Sequence, residues 1–199
     1  MAKIFPSIFP HDLDSPEMLK LGIQVEYEIY NKLKKLSNDF EIFCGPKFIK
    51  KNLSGDMRDG EYSDFIIVHK DKGILFLECK GGSISYRANE VRWYQNKNIL
   101  KKSPIKQAND GKLSLIALLQ SSKYKEEINI NSIPTIHGAI FPNTPKPSNI
   151  TLSADIKPEM IIWAEDSENL SSSILNLLDL NKSKKDISDE EKKTIQKIL

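Results

Sequence analysis

The chain has 199 residues, 39% of them hydrophobic and 28% charged, with a formal net charge of +2. That length supports one domain with a real core and room for an appendage, and the composition is that of an ordinary globular protein. So small a net charge names no partner, so any basic patch must come from local clustering. The two cysteines, Cys44 and Cys79, have no metal-type spacing. Unpaired, they suit a reducing compartment, and a cytoplasmic location is expected. No stretch approaches the length of a membrane span. The start, MAKIFPSIFPHDLDSP, is broken by prolines and does not read as a signal peptide.

Residues 1–16 read as an extended arm, with Ile4, Phe5, Ile8 and Phe9 available to pack on the domain. A helix is predicted from Pro16 to Leu36, with Ser15 as N-cap and Pro16 at the first position. Leu19, Ile23, Tyr30 and Leu33 fall at helical spacing. Glu26 lies in line with Ile23, Tyr30 and Leu33, on the core-facing side, whereas Glu28 lies about 200° away beside Asn31, Lys32 and Lys35. From the helix alone, a Glu26 that snorkels out from the helix edge is the plainer reading.

Phe40–Phe43 reads as a short strand, with Lys47–Ile49 extending it beyond Gly45-Pro46, and Lys50–Gly60 as a polar loop. Then comes GEYSDFIIVHKDKGILFLECKGG, residues 60–82. Tyr62–His69 and Ile74–Lys80 are apolar strand patterns, and Lys70-Asp71-Lys72-Gly73 is turn chemistry. Asp64, Glu78 and Lys80 interrupt strands that otherwise look buried, where an unpaired charge costs several kcal/mol. If Lys70–Lys72 form the turn, His69 pairs with Gly73 and Asp64 falls opposite Glu78, with Cβ atoms roughly 5 Å apart. Facing carboxylates destabilise a hairpin unless a cation lies between them, and a hard, oxygen-seeking ion such as Mg²⁺ fits. Lys80, on the same face as Glu78, would point at an anion held there.

Further along, Ile84–Tyr86 and Val91–Tyr94 are strand-like, with Asn96–Asn98 as a turn. Ser103-Pro104 opens a helix to about Ser121, whose apolar side is drawn from Leu113, Ile116, Ala117 and Leu119 or Gln120, with Gln107 in the first turn. Ile133–Phe141 and Met160–Ala164 read as strands, Glu168–Leu180 as a helix, Asn181–Asp189 as a charged linker and Ser188–Leu199 as the beginning of another helix. This order argues for an α/β sheet sandwiched by helices.

Asp64 followed by Glu78-Cys79-Lys80 resembles the D…ExK signature of the PD-(D/E)XK nuclease superfamily. In detail the chain is similar to the NERD (nuclease-related) domain. The shared features run in order: Glu26 in EYEIYNKL, the 60–82 hairpin, Trp93, and Gln107 in SPIKQA. The later IHGAIFP and MIIWAED segments also match, so the likeness covers roughly residues 1–180. Ser63 stands where the motif has its leading Pro. The resemblance implies a restriction-endonuclease-like core, a central mixed β-sheet flanked by helices. It implies Asp64 and Glu78 as ligands of Mg²⁺ or Mn²⁺, with Glu26 contributing to the metal site. Lys80 would orient the attacking water or stabilise charge on the phosphate, and Gln107 would help position the site. Carboxylate-held metal ions can supply the activated water and charge neutralisation that phosphodiester hydrolysis needs.

The expected activity is that of a metal-dependent deoxyribonuclease, an endonuclease, serving DNA processing or phage defence. The rival is a catalytically silent nucleic-acid-binding or protein-interaction module with the same fold. Arg87, Arg92, Lys97, Lys101, Lys102 and Lys106 follow the ExK strand, interleaved with Tyr86, Trp93 and Tyr94. Phosphate-neutralising cations with aromatics suit a nucleic-acid groove; an ordinary solvated edge is the plainer alternative. We assign Trp93 to the core and the basic cluster to DNA contact. His11, His69 and His137 are scattered and expected to be structural. Asp56, Asp59 and Glu61 read as loop charges, with Glu61 within reach of the metal's outer shell. Gly81-Gly82 would let a phosphate backbone approach closely. Residues 1–180 are thus expected to form the nuclease domain. Residues 181–199, a linker and the start of a helix, are similar to the approach to a helicase motor. Expected partners are DNA, a helicase domain or subunit and, in a homo-oligomer, further copies of the chain, with no membrane.

Overall fold

A computed structural model describes residues 1–10, 21–51, 57–61, 63–120, 124–181 and 186–199. Its centre is a six-stranded mixed sheet built from β1 (Lys3–Phe5), β2 (Phe40–Cys44), β5 (Phe65–His69), β6 (Gly73–Cys79), β10 (Thr135–Ile140) and β11 (Ile161–Ile162), in the order β1-β2-β5-β6-β10-β11. β2, β5 and β6 pair antiparallel, while β1–β2, β6–β10 and β10–β11 are parallel. Every residue of β2, β5 and β6 is buried, as expected for strands covered on both faces.

Alternation along β6 sorts the two layers. Leu75, Leu77 and Cys79 face a core made with α1 (Leu21–Leu33) and α3 (Leu170–Asp179), through Val25, Ile29, Leu33, Ile174 and Leu177. Ile74 and Phe76 face a second core with Leu115 and Leu119 of α2 (Pro104–Gln120) and Ile195 of α4 (Asp189–Ile198). α2 is the crossover between the parallel strands β6 and β10, so its first turn lies at the end of the sheet where β6 ends.

Several elements differ from the sequence reading. The arm supplies β1; Phe9 is buried, but Ile8 is 81% exposed. The helix predicted from Pro16 is seen from Leu21, and Ser15 and Pro16 lie outside the described residues. Lys47–Ile49 does not prolong β2. Gly45 takes a positive φ of 57° and turns the chain out, and β3 (Lys47–Lys51) pairs antiparallel with β4 (Met57–Glu61) in a separate ribbon. Part of the predicted polar loop is therefore strand. In α2 the buried stripe is Ile105, Ala108, Gly111, Leu115 and Leu119, whereas Leu113 is 53% exposed and Ala117 is exposed too. Packing follows the 3–4 spacing rooted in Ile105, which Leu113 does not share. α4 carries a capping box between Ser188 and Glu191, and its Gln196 Nε2 donates to Glu41 Oε2 at 2.8 Å.

Candidate active site

β5 and β6 meet in the register His69 opposite Gly73 and Phe65 opposite Leu77. Asp64, the next residue back, thus falls beside Glu78, at the end of the ladder. There its side chain replaces a backbone acceptor: the Cys79 N–H donates to Asp64 Oδ2 at 2.7 Å. The Asp64 carbonyl accepts from Gly45 N at 2.8 Å, which ties this corner to the end of β2. Lys80 continues β6 by donating its backbone N–H to the Ile140 carbonyl at 3.0 Å. Its ammonium lies 2.6 Å from Glu78 Oε1 and 3.9 Å from Asp64 Oδ2. One cation touching both carboxylates places all three groups on one side of the sheet. Glu78 is 5% exposed, so this charge pair is largely shielded from water and more strongly coupled than a surface pair.

Burial by itself would lower the Lys80 pKa, but Asp64 and Glu78 outweigh it and raise it above the ordinary lysine value. Lys80 is therefore held in its charged form by the two carboxylates. Cys79, between Glu78 and Lys80, turns its thiol to the α1 face, as does Cys44. Burial first, then the charges of Glu26 and Asp64, push the Cys44 thiol up to about 12; Cys79 is raised well above the ordinary thiol value by burial, then Asp64 and Glu26. Both thiols are therefore held in the protonated form, and the ionised acidic groups at this strand end are carboxylates. Glu26 lies on α1, the layer that Cys44 and Cys79 face. Glu26 is half-buried and Glu28 exposed. Among the described residues no three His, Cys, Asp or Glu side chains close on one point.

Gln107 stands in the first turn of α2, and its Nε2 donates to the Lys102 carbonyl at 3.4 Å. The six basic positions are all exposed. Three of them have acidic partners: Arg87 with Glu90 at 3.1 Å, Lys102 with Asp110 at 2.7 Å and Lys106 with Asp110 at 3.2 Å. Exposed pairs of this kind are worth at most about 1 kcal/mol, so phosphates can displace them. Arg87 and Arg92 lie on a small three-stranded sheet of β7 (Ile84–Arg87), β8 (Arg92–Gln95) and β9 (Asn98–Ile99). Lys97 lies in its β8–β9 turn, where Asn96 and Lys97 take positive φ of 49° and 69°. Trp93 is buried against Tyr86 and Phe141, with ring centroids 5.0 and 5.5 Å away.

Polar partners from two segments fix the crossing from β6 to β7, and only distant sequence brings them together. Gln95 Nε2 donates to Gly81 O at 2.8 Å, Asn143 Oδ1 accepts from Gly82 N at 3.1 Å, and Thr144 Oγ1 donates to Gly82 O at 2.9 Å. No local signal marks Asn143 or Thr144. Gly82 has φ +76°, and a Cβ there would meet the Asn96 side chain at 2.6 Å. That contact accounts for the glycine without a phosphate. His69 is buried, 2.7 Å from the Asp71 carboxylate through Nδ1 and edge-on to Phe40. His137 meets Lys112 at 3.0 Å. His11 and Asp56 lie outside the described residues, and Asp59 and Glu61 fall in β4.

A mixed sheet between helices, with Asp64, Glu78 and Lys80 gathered at one strand end, defines a protein of the PD-(D/E)XK nuclease-like fold. The chain belongs to the nuclease-related domain family, NERD, whose sequence profile matches residues 21–141, more than half of the chain. No curated protein and no solved structure matches it. No described helix is long and apolar enough to cross a membrane.

Proposed function

We propose that the chain is a Mg²⁺- or Mn²⁺-dependent endonuclease that hydrolyses phosphodiester bonds in DNA. The observation that carries this is the Lys80 ammonium held between Glu78 and Asp64. Asp64 and Glu78 would hold the metal, with Glu26 reaching it from α1. The bound ion would supply an activated water and neutralise charge developing on the phosphate. Lys80, kept protonated, contributes a fixed positive charge that orients the water or the scissile phosphate. Asp64 also ties the two strand ends together by accepting from the Cys79 N–H. Gln107, at the start of α2, positions the site. Arg87, Arg92, Lys97, Lys101, Lys102 and Lys106 neutralise the DNA backbone.

The family resemblance extends this to DNA processing or phage defence in the cytoplasm, beside a helicase domain or subunit or in a homo-oligomer. The rival is a catalytically silent nucleic-acid-binding or protein-interaction module with the same fold. The two separate in one assay: plasmid and linear DNA incubated with the chain and Mg²⁺ or Mn²⁺, beside Glu78→Ala. The nuclease reading expects metal-dependent nicking by the wild type alone; equal behaviour of the two proteins refutes it.

A further inference from the structure

The β7–β8 hairpin is more than a carrier of positive charge. Residues 83–102 hold five basic residues and one acidic one, Glu90, so this short stretch is far more basic than the chain as a whole. The hairpin's two faces are sharply different. Ile84, Tyr86 and Trp93 bury one face in the third core beside Phe141 and Ile161, which anchors the hairpin rigidly. The other face carries Arg87 directly opposite Arg92 in the last rung of the ladder. Like charges in that position destabilise a hairpin unless an anion joins them.

Glu90 does not fill that role evenly. It is bound to the Arg87 guanidinium and accepts from the Tyr94 hydroxyl, while Arg87 also lies 4.2 Å over the Tyr94 ring. Arg92 is exposed at the tip. Beside it stands Val91, 65% exposed and at φ 53°. A β-branched residue in the left-handed region is a true backbone outlier, and such strain persists where function requires it. Asn or Gly would take that conformation with less strain. At about 3.3 Å per residue, β7 carries this tip roughly 13 Å out from Gly82, two residues beyond Lys80.

We propose that this tip enters duplex DNA, with Val91 as an apolar wedge at a base step and Arg87 and Arg92 on the flanking phosphates. The inference rests on the nuclease reading of the neighbouring site and adds a distortion of the substrate to it. Proteins that kink duplexes insert apolar side chains between base steps while basic side chains engage the groove. The base of the same hairpin is tied to the end of the catalytic strand, because Gln95, opposite Ile84, bonds the Gly81 carbonyl.

The test uses the full chain with Glu78→Gln, so that DNA stays uncut in Mg²⁺, and short duplexes carrying 2-aminopurine at successive positions. Binding is expected to raise 2-aminopurine fluorescence about twofold or more through unstacking. Adding Val91→Asn is expected to abolish that rise and weaken duplex binding about fivefold or more. The same change is expected to raise the melting temperature by about 2–4 °C as backbone strain is relieved. Arg92→Ala is expected to reduce the salt slope of binding by about one. Duplex binding with no fluorescence rise, or a rise that survives Val91→Asn, overturns the wedge and leaves the nuclease reading standing. No duplex binding by the Glu78→Gln protein overturns the duplex-DNA reading and the wedge together.

Discussion

The Lys80 ammonium lies 2.6 Å from Glu78 and 3.9 Å from Asp64, so one cation serves two carboxylates at the end of one strand pair. Its pKa is raised because these two acids outweigh the opposing effect of burial. For a lysine raised on folding, the stabilisation is complete below its unfolded value of about 10.4 and fades only as pH climbs through the folded value. Lys80 therefore stays charged throughout the working range. The pH–rate profile is expected to show no Lys80 limb between pH 7 and 9.5. A Lys80→Met protein should lose about a hundredfold or more in cleavage rate, while Lys80→Arg retains more. A limb near pH 8 that vanishes in Lys80→Arg would mark Lys80 as a base and contradict the account.

The hairpin register depends on Gly73. It has φ +102°, and a Cβ there would lie 2.0 Å from the Pro134 carbonyl oxygen, the same oxygen that accepts from Ile74 N at 2.8 Å. Gly73→Ala must break that bond or displace β10. It is expected to cost about 2–4 kcal/mol, read as a fall of the urea midpoint. A midpoint equal to that of the wild type would show that the turn is not held as described.

The site's spine was legible because the constraint is local. Turn residues Lys70–Lys72 set His69 against Gly73, and period-two alternation then puts Asp64 beside Glu78. Burial of strands around three charges was legible for the same reason. The long-range parts were not. β1 is recruited by pairing with a strand far along the chain, and three isolated residues carry too little pattern to announce it. β4 reads MRDGE, a sequence with no strand propensity, and forms through pairing with β3. Several apolar residues of α2, Leu113 among them, offer competing stripes, and only contact with β6 and β10 selects the buried one. Gln107 shows the limit for the site itself: its position at the head of α2 follows from sequence, but its bond to the Lys102 carbonyl does not.

His137 should make the protein acid-sensitive. Burial, then the neighbouring Lys112, lower its pKa to about 4. Unfolded, it titrates near 6.5, so the unfolded chain binds the extra proton first as pH falls. The stability present above pH 6.5 is thus lost progressively between about 6.5 and 4. Urea titrations at several pH values are expected to show this slope, and His137→Gln should flatten it. Lys112→Met should shift the loss to a narrower range by allowing His137 to protonate in the folded state. An unchanged slope in His137→Gln would assign the acid sensitivity elsewhere.

The Cys44 thiol, raised to about 12 by burial and by the charges of Glu26 and Asp64, should react slowly with thiol reagents in the folded chain and rapidly in urea. Glu26→Gln removes one of those charges. It is expected to increase the reaction rate at pH 9 modestly without unfolding the protein. No change would place the Glu26 carboxylate away from the strand end shared by Cys44 and Asp64.

The central claim is that Asp64 and Glu78 act as one unit in phosphodiester cleavage. Single-turnover cleavage of supercoiled plasmid in Mg²⁺ or Mn²⁺, compared for wild type, Asp64→Asn, Glu78→Gln and the double variant, tests it most directly. Each single change is expected to reduce the rate about a hundredfold or more, and the double variant to be little worse than either. A single variant that keeps the wild-type rate while folding normally would contradict the account.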